Sequence, residues 1–131
     1  LSDFNEGFPQ SSEIAARLTR IFDFIEECGF SKNSRIWKRS DLFTALVSLD
    51  RKLIDKPDLS PTDVISRLES FYADVETQGM TSMSIAVGAY AKAAIQASND
   101  RINRIRRGVI IESVIAGIDP LQGLRDENLV N

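Results

Sequence analysis

The stretch SSEIAARLTRIFDFIEECG, residues 11–29, predicts the fold class. It opens on serines that can cap a helix, and it ends on Gly29, which can stop one. Between these residues, apolar side chains recur every three or four positions, which is the spacing of one face of an α-helix. We expect this face to be buried and the charged face to be solvated; the apolar positions are Ile14, Leu18, Ile21, Phe22, Ile25 and Cys28.

The same periodicity continues in four more segments, and no segment has the period-two alternation of a β-strand. A second helix is expected to be capped by Ser40 or Asp41 and to bury an apolar face that includes Phe43 and Val47. The fourth segment is rich in alanine, which lets neighbouring helices approach closely. The four segments cover about residues 40–55, 60–78, 82–97 and 99–117. Ser60 is expected to cap the third helix and Asn99 or Asp100 the fifth, which should end near Gly117.

These segments predict an all-α fold, in which residues 1–131 form a single-domain bundle of about five helices. Residues 1–10 are expected to form an irregular arm, and residues 119–131 a tail after the break at Asp119-Pro120. Because the chain opens on Leu1 and not on methionine, we expect it to belong to a longer protein. The longest weakly polar stretch, residues 82–97, is too short and too rich in small residues to predict a membrane span.

The composition excludes most catalytic chemistry within this chain. Histidine is absent, which removes Ser–His and Cys–His catalysis as well as histidine metal ligands. The single cysteine, Cys28, cannot build a zinc site or an internal disulfide, and it fits a reducing cytoplasm. No glycine-rich phosphate loop occurs, and the carboxylates are expected on exposed faces or in turns. We therefore predict no enzyme activity, no metal and no cofactor.

The conspicuous polar motif is NDRINRIRR, residues 99–107, which holds four arginines and one acid in the first half of the fifth helix. Cations at a helix N-terminus oppose the helix dipole, so helix stability does not explain them. They can pair with acids, since residues 1–31 carry six acids against two arginines, a balance of −4. They can also contact the phosphates of a nucleic acid. The four are Arg101, Arg104, Arg106 and Arg107.

A second basic group surrounds Trp37 and comprises Lys32, Arg35, Lys38 and Arg39. An aromatic ring among basic side chains can stack on nucleic-acid bases. A tryptophan beside Ile36 can equally be a core or interface anchor. Nucleic-acid binding therefore stays open, although a sequence pI near 5.0 lacks the overall basic footprint of that class.

Three segments together resemble a known family: WKRSDLFTAL at residues 37–46, the Ala89-Tyr90 and Ala93-Ala94 pairs, and SNDRINRIRR at residues 98–107. Over roughly residues 36–116, the chain resembles the helical region that follows the ParB-like nuclease domain in GmrSD-type defence and restriction proteins. The resemblance implies a helical accessory domain of a larger protein. It also implies that the catalytic residues lie in a preceding α/β domain, because the Asp-Gly-Gln-Gln-Arg-like motif of that domain does not occur here.

The sequence thus predicts a non-catalytic scaffold or interaction module with the fifth helix as its contact face. The expected partner is another protein, a preceding domain of the same chain or a second copy. The alternative is a nucleic-acid-binding accessory domain of a defence protein. Both hypotheses use the same candidate contact residues, which are Arg101, Arg104, Arg106, Arg107, Lys38, Arg39 and Trp37.

Overall fold

The computed structural model describes residues 10–95 and 100–129, and these residues form an all-α structure without strands. The predicted fold class is therefore confirmed. Two short 3-10 helices, Arg35–Trp37 and Gly79–Thr81, lie in connecting segments. The α-helices within the described residues are α1 Gln10–Cys28, α2 Arg39–Asp55, α3 Pro61–Thr77, α4 Ile85–Ile95, α5 Arg101–Ala116 and α6 Pro120–Asp126.

The described part of the chain thus holds six α-helices, where about five were predicted. The additional helix, α6, lies in the segment that was expected to be a tail. Asp119 accepts a hydrogen bond from the amide of Leu121 at 3.0 Å, and Pro120 occupies the first helical position. The dipeptide that was expected to break the fifth helix therefore begins α6. With seven residues and one buried side chain, Leu124, α6 has no periodic pattern to detect.

Several predicted helix boundaries are confirmed by their capping contacts. The Ser60 hydroxyl accepts a hydrogen bond from the amide of Asp63, and Asp100 accepts one from the amide of Ile102. At the end of α5, Gly117 takes a left-handed conformation with φ of 75°. The guanidinium of Arg67 donates to the carbonyl of Ile115 at 3.0 Å and so helps to satisfy that helix end.

Three sequence expectations fall at or beyond the limits of the described residues. Of the predicted arm, residues 1–9 lie outside them, whereas Gln10 already belongs to α1. The predicted end of the fourth helix at Ala97 and the alternative cap Asn99 also lie outside. Residues 130 and 131 of the predicted tail do too.

The core lies around α3 and the second half of α5. Buried side chains of α3 include Val64, Leu68 and Tyr72, and α5 contributes Ile110 and Ile115. Small side chains of α4 complete the core: Ala86, Val87, Ala91 and Ala93. Among the described residues, no helix has the length and apolar character needed to cross a membrane.

The predicted burial is wrong for half of α1 and for one side of α2. Only the C-terminal half of α1 reaches the core, through Ile21, Phe24, Ile25 and Cys28. Ile14 and Phe43 remain 53% and 62% exposed, and Leu18, Phe22 and Val47 are also exposed. The bundle does not extend far enough to cover these apolar faces.

Candidate interaction site

A groove of about 620 Å³ lies between α2 and α5, and α6 closes one side of it. Its apolar wall includes Phe43 and Val47 from α2 and Ile105 and Val109 from α5. Arg101 and Arg104 line the groove at the beginning of α5. The site therefore combines an apolar surface with cations, which suits a partner that carries both apolar and charged side chains.

Arg101 and Arg104, which we call the basic rim, are exposed. No ion pair within residues 10–95 and 100–129 involves either of them. For these two arginines, the predicted pairing with acids of the first 31 residues is thus not found where the structure describes the chain. Two other acids on the groove, Asp126 and Glu127, belong to the α6 side. The groove therefore offers charges of both signs.

Arg106 and Arg107 do not belong to the exposed basic rim. Arg107 is only 2% exposed and lies inside the bundle, which corrects its predicted place on the contact surface. Three residues turn a helix by about 300°, so each such step moves the side chain about 60° back around the axis. Two steps from Arg101 bring Arg107 to the inner side. Arg106 is half-buried, and its Nη1 donates to Asn103 Oδ1 at 3.5 Å.

Part of the second predicted basic group holds the connector between α1 and α2 in place. Trp37 donates from its indole Nε1 to the carbonyl of Ser31 at 2.8 Å and packs edge-on against Phe30. Lys38 pairs with Glu76 at 3.2 Å. Arg39 is exposed and forms no ion pair with any described residue. Lys32 and Lys38 are exposed as well, and Trp37 is 44% exposed, so in this group only Arg35 is largely withdrawn from solvent.

A buried polar cluster that the sequence did not reveal joins this connector to the core. Asp41, expected to be a helix cap, is only 1% exposed and accepts a hydrogen bond from the hydroxyl of Tyr90. Arg35 Nε lies 3.1 Å from Asp41 Oδ2, and Arg35 Nη1 lies 3.5 Å from Glu76. An arginine six residues ahead of an aspartate is too weak a signal to predict such a pair. Asp41 and Tyr90 are buried, and their contacts join the connector to the core.

The direction of α1 relative to α2 follows from contacts at both ends of the pair. Arg17, in the first half of α1, pairs with Asp50, late in α2. Phe30, just after α1, packs against Trp37, just before α2, so the two helices are antiparallel.

The direction of α2 relative to α5 follows in the same way. Arg51, late in α2, pairs with Glu112, late in α5, at 3.4 Å. At the other end, Phe43 of α2 and Arg101 of α5 line one groove. Hence α2 and α5 run in the same direction, and the basic rim lies at the end where α2 begins.

A second, apolar groove lies on the other side of α2, against α1. It has a volume of about 350 Å³ and includes Ile14, Leu18 and Leu46. Phe43 and Val47 border both grooves, so the three helices present one continuous surface. With Ile54, which is also exposed, they form a ridge at spacings of four and seven residues along α2. We call Phe43, Val47 and Ile54 the α2 ridge.

The described residues offer no alternative site of metal chemistry, because they hold no group of three or more histidines, cysteines or carboxylates arranged to bind a metal ion. Burial of the Cys28 thiol is the larger cause of its raised pKa, and the negative charge of Glu27 is the smaller one. Together they raise that pKa to about 11, which keeps the thiol protonated at neutral pH.

Comparisons with family models, curated proteins and solved structures give no match to this chain.

Proposed function

We propose that this chain is a non-catalytic interaction module of a larger cytoplasmic protein assembly, with the α2 ridge and the two flanking grooves as its docking face. The observation that carries the proposal is the exposure of apolar side chains on this face beside the basic rim. Large contiguous apolar patches are uncommon on monomeric soluble proteins and mark sites of association. The face has the apolar centre and charged periphery of a protein interface.

Site-specific photo-crosslinking tests the docking face. A photoreactive phenylalanine analogue replaces Phe43 in one variant and Met83, which is fully exposed away from both grooves, in a matched control. We expect a discrete crosslinked protein product from position 43 and none from position 83 in cells that express the parent protein. Equal crosslinking at both positions, or none at position 43, would contradict the proposed function.

A second candidate function, nucleic-acid binding in a defence protein, is favoured by the exposed basic rim, by Arg39 and by the resemblance to the GmrSD-type accessory region. Fluorescence anisotropy with labelled DNA and RNA across a salt series tests it. Phosphate contacts predict affinity that falls steeply as salt rises and that drops in an Arg101→Glu/Arg104→Glu variant. Absence of binding at low salt would eliminate this function.

The proposed context in a defence protein has its own test. If the resemblance is correct, the longer parent sequence contains an α/β domain with the Asp-Gly-Gln-Gln-Arg-like motif ahead of this region. A parent sequence without that domain would remove the resemblance and leave the interaction module in place.

A further inference from the structure

The docking face has two apolar surfaces that lack cover, and one kind of contact would cover both. The first is the exposed side of α1, where Leu18, Phe22 and Glu26 follow one another at intervals of four residues. The second is the groove between α2 and α5, with Phe43, Ile105 and the basic rim. The first surface is an exposed stripe along α1, and the second is a concave site that also combines apolar and charged side chains.

We propose that the partner of the docking face is a second copy of this chain, bound so that α1 of each copy lies over the α2–α5 groove of the other. This inference rests on the proposed function and names the partner of the same face. The contact is isologous, since each copy supplies one stripe and one groove. The α2 ridges of the two copies pack against each other at the centre.

A two-fold axis that runs parallel to α2, above the α2 ridge, produces this arrangement. Rotation by half a turn about that axis places the α1 side of one copy over the α5 side of the other. Positions measured along the direction of α2 stay the same. Because α1 is antiparallel to α2 and α5 is parallel to it, the end of α1 reaches the beginning of α5. The apolar part of the α1 stripe then faces the groove, and Glu26 faces the basic rim.

The charges of the two surfaces are complementary in this register. Glu26 is exposed and, like Arg101 and Arg104, forms no ion pair with any described residue. In the dimer, each copy places Glu26 opposite the two arginines of the other. The helix dipole disfavours cations near a helix N-terminus, so the four arginines of α5 need another explanation. The contact with Glu26 of the other copy explains two of them, Arg101 and Arg104.

Size-exclusion chromatography with light scattering over a concentration series tests the dimer. We expect the wild type to approach twice the monomer mass of 14.6 kDa as concentration rises. Glu26→Arg and Arg104→Glu should each raise the dimer dissociation constant by about tenfold, and the combined variant should recover most of the loss. Two matched controls should leave the constant within about twofold. They are Glu27→Arg, one residue from Glu26 on another side of α1, and Lys92→Glu, at an exposed position of α4 outside both grooves.

Other results would overturn the inference. A monomer at every concentration would refute the dimer, and crosslinking of a different protein from position 43 would then still support the proposed function. A dimer in which Glu26→Arg and Glu27→Arg have equal effects would refute the stated register. A third result concerns nucleic acid. If DNA or RNA dissociates the assembly, and charge reversal of the basic rim abolishes both the assembly and the nucleic-acid binding, the rim is a nucleic-acid site instead.

Discussion

Arg35 fixes the path of the chain between α1 and α2. Its guanidinium is mostly buried and lies between Asp41 and Glu76. Asp41 in turn accepts a hydrogen bond from the hydroxyl of Tyr90, and the hydroxyl of the neighbouring Ser34 donates a hydrogen bond to the carboxylate of Glu69. Buried charges persist only when they are paired and hydrogen-bonded, so each member of this cluster depends on the others.

Replacement of Asp41 by alanine is expected to lower the free energy of unfolding by about 3 kcal/mol, because Arg35 loses its buried counter-ion. Tyr90→Phe removes one hydrogen bond and should cost about 1 kcal/mol. Urea denaturation followed by circular dichroism measures both. Asp58→Ala, at an exposed turn position, is the control and should change stability by less than about 0.5 kcal/mol. Equal effects of Asp41→Ala and Asp58→Ala would show that the cluster does not stabilise the fold.

Alkaline pH should destabilise the fold through three buried groups. Burial is the largest cause of the raised pKa values of Tyr72, Tyr90 and Cys28, the last to about 11 from an ordinary value of 9.0. The unfolded chain loses these protons at lower pH, so the folded state binds more protons and stability falls as pH rises. For Cys28, the stabilisation is complete below pH 9 and lost through pH 11.

The Cys28 contribution can be separated by substitution. Cys28→Ala should flatten the decline of stability between pH 9 and pH 11 relative to the wild type, by up to about 2 kcal/mol across the interval. Urea titrations at several pH values measure the free energy of unfolding of both proteins. The slope of this free energy against pH is compared, because the packing cost of the substitution does not change with pH and cancels. Parallel declines in both proteins would contradict the assignment.

At the scale of elements, the junction of α5 and α6 depends on the absence of a side chain at Gly123. A Cβ atom at Gly123 would overlap Ser113 Oγ and lie 3.3 Å from a methyl of Val109. The two helices can pack this closely because one of them presents only backbone there. In α5 itself, a Cβ atom at Gly108 would meet nothing within 4 Å.

Alanine at these two glycines should therefore have opposite effects. Gly123→Ala is expected to destabilise by about 1–3 kcal/mol through overpacking. Gly108→Ala should stabilise by about 0.5–1 kcal/mol, since alanine favours a helix interior over glycine. Thermal unfolding of the two variants beside the wild type distinguishes them. A destabilised Gly108→Ala would mean that α5 needs the open space at this position.

At the scale of the whole molecule, the α2 ridge should contribute to association and not to the stability of the monomer. Phe43→Ser/Val47→Ser is expected to leave the free energy of unfolding within about 0.5 kcal/mol of the wild-type value. Phe71→Ser, in the core, should lower it by at least about 3 kcal/mol. Urea titrations at low protein concentration compare the two variants. A large loss of stability in the ridge variant would mean that Phe43 and Val47 are buried in the core, as the sequence pattern predicts.

The sequence identified an apolar face on each long helix but not the share of that face that the bundle covers. Ile21 and Ile14 belong to one periodic pattern, yet only Ile21 is buried. Likewise, the arginine motif predicted a contact face of four residues, of which Arg107 turned inward while Arg101 and Arg104 stayed on the rim. Periodicity fixes the side of a helix on which a residue lies, whereas neighbouring helices decide how deeply it is buried.

What the sequence determined by itself is local: the helical class, the capped starts at Ser60 and Asp100 and the stop at Gly117. These features depend on residues within one or two turns, so a pattern of neighbours is enough to predict them. Tertiary structure alone decided the buried Arg35–Asp41 pair and the groove between α2 and α5. Both depend on which segments the fold brings side by side, because burial and pairing arise between residues that are distant in the chain.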